Sequence, residues 1–74
     1  MNNTRDIDLL IRFGNHLRVL RKSKNLSLEK LALEADIELS QVHRIEKGKI
    51  NPTLSTLNLL AQALEMNLND LLKF

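Results

Sequence analysis

A short segment in the middle of the chain carries side chains that could recognise the base edges of a nucleic acid. It contains Ser40, Gln41, His43 and Arg44, with Leu39 immediately before them. An arginine can donate two hydrogen bonds to guanine O6 and N7, a glutamine can pair with adenine N6 and N7, and a serine can bond to a base or a phosphate. Leu39 either contacts a thymine methyl group or completes a hydrophobic core, and the sequence leaves both open. The segment predicts contacts with DNA in the major groove.

Catalysis and metal binding are poorly supported by the other reactive residues. His16 and His43 fall on different predicted helices, and the chain has no cysteine, whereas a zinc site needs three or four convergent ligands. Ser40 and His43 are one helical turn apart, but they lack the orienting acid of a nucleophilic triad. We therefore predict no enzyme activity, no metal, no cofactor and no small-molecule ligand. We expect His16 to lie at the surface.

A helix must present the polar segment, and the sequence predicts five helices. Apolar residues recur at helical spacing over residues 7–23, 28–34, 39–46, 54–64 and 69–73. The second and third of these helices are joined by a short turn, which is the pattern of a helix-turn-helix. In that motif the second helix enters the DNA major groove. The whole chain, residues 1–74, is expected to form one all-α, compact five-helix domain.

Several residues are expected to fix the ends of these helices. Thr4 or Asp6 can cap the first helix, Ser27 the second and Asn69 the fifth, because their side-chain oxygens can accept hydrogen bonds from unpaired backbone N–H groups. Asp36, in the turn between the second and third helices, is expected to adopt a left-handed conformation, which aspartate tolerates better than most residues.

The first predicted helix carries a glycine beside its apolar stripe. Leu10, Phe13, Leu17 and Leu20 recur at helical spacing and form that stripe,. Gly14 lies next to them, and the absence of a side chain allows another helix to approach closely.

The basic residues are concentrated in the first third of the chain. Residues 1–24 hold six basic and two acidic side chains, although the whole chain of 74 residues has a net charge of only +2. A local basic patch suits a polyanionic partner such as double-stranded DNA. We expect phosphate contacts from Arg18, Arg21, Lys47 and Lys49. No apolar run approaches the length of a membrane span, and the first residues lack a signal-peptide pattern, so a cytoplasmic protein without membrane partners is expected.

The combined pattern resembles the Xre-type, lambda repressor-like helix-turn-helix family, which includes phage repressors and the small controller proteins of restriction–modification systems. The resemblance covers about residues 13–72. It is carried by Phe13-Gly14, Leu17-Arg18, Leu20-Arg21, Ser27, Glu29, Leu31-Ala32, Ile45-Glu46-Lys47-Gly48-Lys49, Asn51-Pro52, Leu57, Leu60-Ala61 and Ala63-Leu64. It implies a five-helix DNA-binding domain that acts as a homodimer on a paired operator.

The resemblance also implies roles for individual residues. Base contacts are assigned to the start and the polar side of the third helix: Leu39, Ser40, Gln41, His43 and Arg44. Contacts to the DNA backbone are assigned to the opening of the second helix and the loop after the third: Ser27, Leu28, Lys49, Asn51 and Thr53. Arg21 and Glu46 match a pair that forms a salt bridge in several relatives and holds the arginine near phosphate. Leu28, Leu39 and Asp36 stand where relatives commonly have glutamine, a polar residue and glycine.

Apolar residues crowd the C-terminus, where we expect a twofold dimer interface. The residues concerned are Leu68, Leu71, Leu72 and Phe74. At least two of the three leucines are expected instead to close the base of the helical bundle. The predicted function is a sequence-specific transcriptional regulator that binds a palindromic operator as a homodimer, with its own gene as one candidate target. The alternative is an antitoxin or another protein-interaction module that uses the same fold.

Overall fold

Short polar side chains start four of the five helices. The computed structural model describes residues 6–74, in which there is no strand and the helices are α1 (Ile7–Ser23), α2 (Leu28–Ala35), α3 (Leu39–Glu46), α4 (Leu54–Ala63) and α5 (Leu68–Leu71). None of these helices has the length and apolar character that a membrane-spanning segment needs. Four capping oxygens accept a backbone N–H from three residues further on at 2.8 to 3.1 Å; they belong to Asp6, Ser27, Thr53 and Asn67. The predicted all-α, five-helix fold is confirmed.

The ends of three helices differ from those predicted. α2 extends to Ala35 rather than 34, and α4 ends at Ala63 rather than 64. Asn69 was the wrong cap for the fifth helix, since Oδ1 of Asn67 accepts the N–H of Asp70 at 2.8 Å, and the helix spans Leu68–Leu71 rather than 69–73. Both asparagines suit a cap by type, and the helix that starts after Asn67 packs Leu68 against the core. Thr4, the other candidate cap for α1, lies outside the described residues.

Aliphatic side chains from all five helices fill one core. Leu17, Leu31, Ile45, Leu60 and Leu71 are each at most 1% exposed. α1 packs on α3, α2 packs on both α3 and α4, and α4 packs on α5. Because α3 is held between α1 and α2 by its buried side, its opposite side faces solvent.

The turn between α2 and α3 depends on one left-handed residue. Asp36 has φ 57° and ψ 45°, which confirms the conformation expected for it. The N–H of Ile37 then donates to the carbonyl of Ala32 at 3.1 Å, and this bond closes the end of α2. The chain reverses within three residues, and α3 begins at Leu39.

Candidate nucleic-acid interface

α3 turns its central apolar residues to the core and most of its polar residues to solvent. Val42 and Ile45 are 0% and 1% exposed and belong to the core. The residues predicted to contact bases lie away from it: Leu39, Ser40, His43 and Arg44 are exposed, and Gln41 is half-buried. The structure therefore brings all five together on the accessible part of one helix.

Gly14 allows α1 to pack directly on the backbone of α3. A Cβ atom at this position would overlap the carbonyl groups of Ile45 and Glu46. No other residue type has space there without moving one of the two helices. The close approach fixes the C-terminal half of α3 against the longest helix of the protein, so the orientation of the exposed polar side is set by α1.

Arg21 and Glu46 form a buried ion pair between α1 and the end of α3. The Nε atom of Arg21 lies 2.7 Å from Oε2 of Glu46, and its second terminal nitrogen lies 3.1 Å from Oε1. The other terminal nitrogen donates to the carbonyl oxygen of Leu26 at 2.8 Å. Arg21 thus connects α1, the loop before α2 and the end of α3, and the two-point contact with Glu46 fixes the plane of the guanidinium.

This environment changes the role expected of Arg21. Its hydrogen bond to Glu46 raises the pKa of Arg21 above the ordinary value; desolvation opposes the rise, and the charges of Glu46 and Glu29 add to it. The residue is only 7% exposed, and a carboxylate neutralises its charge. The structure contains the ion pair with Glu46 that the family resemblance implied. The same pair turns the Arg21 side chain into the interior, whereas a phosphate contact was also predicted for it.

A groove with an excess of basic side chains runs beside the exposed side of α3. It encloses about 520 Å³, and its walls come from α1, the start of α2 and the end of α3. Four basic side chains line it against two acidic ones, Glu29 and Glu46. We call it the basic groove; its lining includes Asn15, Arg18, Lys22, Leu28, His43 and Lys47.

Two residues of the basic groove were not among the predicted phosphate contacts. Asn15 and Lys22 lie three residues before and four residues after Arg18 on α1, and residues at these spacings share one helix face. All three line the groove. The helical spacing around Arg18 was the signal that could have identified them.

The start of α2 borders the same groove through groups that differ from those expected. Oγ of Ser27 accepts the N–H of Lys30 at 3.0 Å, so Ser27 offers a phosphate only its hydroxyl proton and its backbone. The side chain of Leu28 packs against the core. At this position only the backbone N–H, at the positive end of the helix dipole, is suited to an anion.

The loop between α3 and α4 exposes all three polar residues predicted there, but one of them is engaged as a helix cap. Lys49 and Asn51 are exposed. Thr53 is the cap of α4: its hydroxyl oxygen accepts the N–H of Thr56 at 3.1 Å and lies 3.0 Å from the Thr56 hydroxyl. The predicted phosphate contact of Thr53 thus competes with bonds that the hydroxyl already makes inside the protein.

Known proteins share this arrangement. A family model described as helix-turn-helix (HTH_3) matches residues 17–71. The chain belongs to the helix-turn-helix family. Control protein C.BamHI of Bacillus amyloliquefaciens is 40% identical over 72 residues, which cover 96% of this chain and 86% of that protein. Control protein C.MunI of a Mycoplasma species is 40% identical over 65 residues, or 86% and 88% of the two chains. The crystal structure of the restriction–modification controller protein C.AhdI from Aeromonas hydrophila matches with a TM-score of 0.84 and 38% identity over 86% of this chain and 97% of that one.

Family membership fixes the broad role of the protein. It is a helix-turn-helix DNA-binding regulator of transcription and not an enzyme. α2 and α3 are the two helices of the motif, and α3 occupies the place of the recognition helix, whose N-terminal part faces base edges in complexes of this type.

The residues predicted for a dimer interface divide between the core and the surface. Leu71 is 0% exposed within one copy of the chain, so it closes the base of the bundle, as expected for at least two of the three leucines, and has no surface left for a partner. Leu68 is half-buried against the core, whereas Leu72 and Phe74 are 41% and 45% exposed. α5 is only four residues long. Its packing against α4 decides which of its residues are buried.

Leu72 and Phe74 belong to a larger apolar surface. Together with Leu9, Pro52 and Leu57 they line a shallow recess of about 120 Å³; we call these five residues the C-terminal apolar patch. The ring of Phe74 is held edge-on against Phe13, with 5.4 Å between centroids. The patch therefore joins the chain end to the start of α1 and the loop before α4.

His16 is part of this region and is not the surface residue that was expected. It is half-buried, and its Nε2 atom lies 2.9 Å from the carbonyl oxygen of Leu71. The imidazole stacks on Phe74 with 5.5 Å between ring centroids. His16 thus ties α1 to the end of α5. Among residues 6–74, no group of three or more His, Cys, Asp or Glu side chains is placed to hold a metal ion.

Proposed function

We propose that the protein binds a palindromic operator as a homodimer and regulates transcription as a controller of a restriction–modification system, including transcription of its own gene. The observation that carries the DNA-binding part is the exposed polar side of α3 next to the basic groove. The controller role is supported by the two control proteins and the controller structure, which match this chain over most of their own lengths.

Base recognition is assigned to the exposed side of α3. Arg44 is the residue best suited to guanine, because its guanidinium can donate to O6 and N7 together, a contact that discriminates by about 1–3 kcal/mol. Gln41 suits adenine, and Ser40 can bond to a base or a neighbouring phosphate. His43 lines the basic groove and lies between the base-contacting and the phosphate-contacting residues. Leu39 is the apolar member of the set.

Phosphate binding is assigned to the basic groove and its borders. Arg18 and Lys47 line the groove, the backbone N–H groups after Ser27 point from the start of α2, and Lys49 and Asn51 extend the contact along the loop. Roughly three to five neutralised phosphates per subunit would give a steep dependence of affinity on salt. These contacts position the protein on the duplex and carry little sequence information.

Dimerisation is assigned to the C-terminal apolar patch. A twofold axis through Leu72 and Phe74 would bury their exposed surfaces and pair two recognition helices on half-sites about 34 Å apart, one turn of DNA. We expect Leu72→Asp to convert the dimer to a monomer in sedimentation velocity, while Leu33→Asp, at a 74% exposed position on α2, leaves it unchanged. A wild-type protein that sediments as a monomer at tens of micromolar would contradict the assignment.

The central test compares specific with nonspecific DNA. The purified protein is titrated against DNA from upstream of its own gene and against a scrambled duplex of equal length, at roughly 150 mM salt because affinity depends on it. A specificity ratio of about 10³ or more is expected. Arg44→Ala should lower only the specific affinity, and Lys30→Ala, at a solvent-exposed pair on α2, should change neither. Equal affinity for the two duplexes would contradict autoregulation.

A further inference from the structure

We propose that Leu39 contacts the C5-methyl group of a pyrimidine in the major groove and thereby specifies one position of each half-site. The inference rests on the proposed DNA binding through α3 and adds a chemical identity to one of its contacts. The methyl group can belong to thymine or to 5-methylcytosine, because both bases display it at the same place in the groove.

The first argument is that Leu39 is not needed by the core. The side chain is 43% exposed and is absent from the residues that pack on the hydrophobic cluster. Of the other apolar residues that begin helices, Leu28 and Leu68 pack against that cluster, whereas Ile7 and Leu54 are exposed as Leu39 is. Of the two roles that the sequence left open for Leu39, completing the core is therefore excluded by packing.

The second argument is the position of Leu39 on the recognition helix. It is the first residue of α3, where side chains face base edges in helix-turn-helix complexes. Within residues 39–46, all of which the structure describes, Leu39 is the one exposed apolar side chain. Ser40 and Arg44 beside it supply hydrogen bonds, which leucine cannot do.

The third argument is chemical complementarity. On the major-groove edges of the four standard bases, every group is a hydrogen-bond donor or acceptor apart from the apolar C5-methyl of thymine and the C–H edges. A leucine placed against a donor or acceptor would leave that group without a partner, which is unfavourable. Against a methyl group it removes apolar surface from water on both sides. The contact is worth about a fourfold change in affinity, estimated from the burial of one methyl-sized group.

The test combines base analogues with a change at Leu39. The wild-type protein first selects its preferred duplex from a randomised library, which gives the probe. Each thymine of that duplex is then replaced singly by deoxyuridine, and each cytosine singly by 5-methylcytosine. Affinities are measured for wild type, Leu39→Ala and Leu33→Ala. The last variant removes the same atoms from a 74% exposed position on α2, and circular dichroism verifies that all three are equally helical.

Two results would support the proposal and distinguish the source of the methyl group. A thymine contact predicts one position per half-site at which deoxyuridine weakens wild type and Leu33→Ala about fourfold but leaves Leu39→Ala unchanged. A cytosine contact predicts one position at which 5-methylcytosine strengthens the same two proteins about fourfold, again without effect on Leu39→Ala. If the three proteins respond alike at every position, the role of Leu39 is refuted while specific DNA binding stands. If the library yields no preferred sequence, the proposed sequence-specific DNA binding and the role of Leu39 are both refuted.

Discussion

Removing the carboxylate charge of Glu46 should destabilise the protein severely, because the charge of Arg21 would stay buried without a counterion. The side chains of the pair are 8% and 5% exposed, and their closest atoms are 2.7 Å apart. Loss of one partner of such a pair costs about 3–5 kcal/mol. A domain of this size has only about 4–11 kcal/mol of total stability. For Glu46→Gln, which keeps the shape and one acceptor, we expect a loss of about 3 kcal/mol.

A second variant separates the ion pair from the other bond of Arg21. Arg21→Met leaves the Glu46 carboxylate buried and the Leu26 carbonyl, now bonded at 2.8 Å, without its donor. We expect Arg21→Met to lower the free energy of unfolding by the cost of losing the ion pair plus about 1–3 kcal/mol for the unpaired carbonyl. The double variant Arg21→Met, Glu46→Leu buries no charge, so only the carbonyl cost should remain. The double variant should therefore be more stable than Arg21→Met alone, a large departure from additivity.

The assay is thermal and urea unfolding of the wild type, the two single variants and the double variant. A loss of 3 kcal/mol corresponds to a fall in Tm of about 12–24 °C for a domain of this length. Asp8→Asn is the matched control: it breaks the Arg12–Asp8 pair, which has a 3.3 Å contact but side chains 54% and 85% exposed. That change should cost less than about 1 kcal/mol.

The pH dependence supplies a further check on this pair. The pKa of Arg21 is raised in the folded protein, chiefly by its hydrogen bond to Glu46. A group with a raised folded pKa contributes its full stability below the unfolded pKa and loses it only as pH rises through the folded value. The stability contributed by ionised Arg21 should therefore be constant from about pH 6 to pH 9, well below the arginine range.

A cost of Glu46→Gln below 1 kcal/mol, or a double variant whose loss of stability equals the sum of the single losses, would refute the reasoning about the ion pair.

Three other perturbations test separate parts of the structure. Lys47→Ala should lower the affinities for specific and nonspecific DNA by the same factor. It should also reduce the slope of log affinity against log salt concentration by about 0.9 per subunit. Unequal factors for the two kinds of DNA would contradict a phosphate contact. Gly14→Ala should lower Tm and specific DNA affinity together, because the added Cβ overlaps the backbone of α3. Overpacking of this kind typically costs about 1–3 kcal/mol. An unchanged Tm would show that α1 and α3 can separate freely. His16→Ala should lower the free energy of unfolding in urea by about 1–3 kcal/mol, because the Leu71 carbonyl loses the partner that it has at 2.9 Å,. His16→Gln should recover part of this loss. Equal losses in the two variants would assign the effect to the ring contacts.

The sequence was a good guide to helices because their start signals are local. A serine, threonine or aspartate followed by an apolar helical pattern marks a helix start without knowledge of the rest of the fold, and Ser27 and Asp6 cap the helices as expected. The left-handed Asp36 is likewise a property of one residue and its neighbours. Asn67 and Asn69 show the limit of local signals. Either can cap a helix by its chemistry, and nothing in the local sequence shows that the helix begins after the first of them.

Burial was harder to predict because it depends on partners distant in sequence. His16 is polar and near the middle of α1, yet it is half-buried because its acceptor, the Leu71 carbonyl, is 55 residues away in the chain. Arg21 lies inward against Glu46, 25 residues further on, a pair that the family resemblance implied but that charge and spacing did not. Long-range partners of this kind leave no periodic signal in the sequence. Charge and polarity alone would place both residues at the surface.

The C-terminal residues show why the accessible apolar surface is the least predictable part of a small helical protein. Leu71 and Leu72 are adjacent and identical in type, yet they are 0% and 41% exposed, because Leu71 ends α5 on its buried side and Leu72 is the residue that follows the helix. A four-residue helix is too short to display a period, so only its packing on α4 shows which leucine faces outward. The surface available to a second copy of the chain is then built from Leu72 and Phe74 with Leu9 from the start of α1. α1 also contacts α3 through Gly14 and Arg21. A dimer formed on this patch would therefore be linked to the recognition helix through α1. The spacing of the two recognition helices would then be a rigid property of the fold.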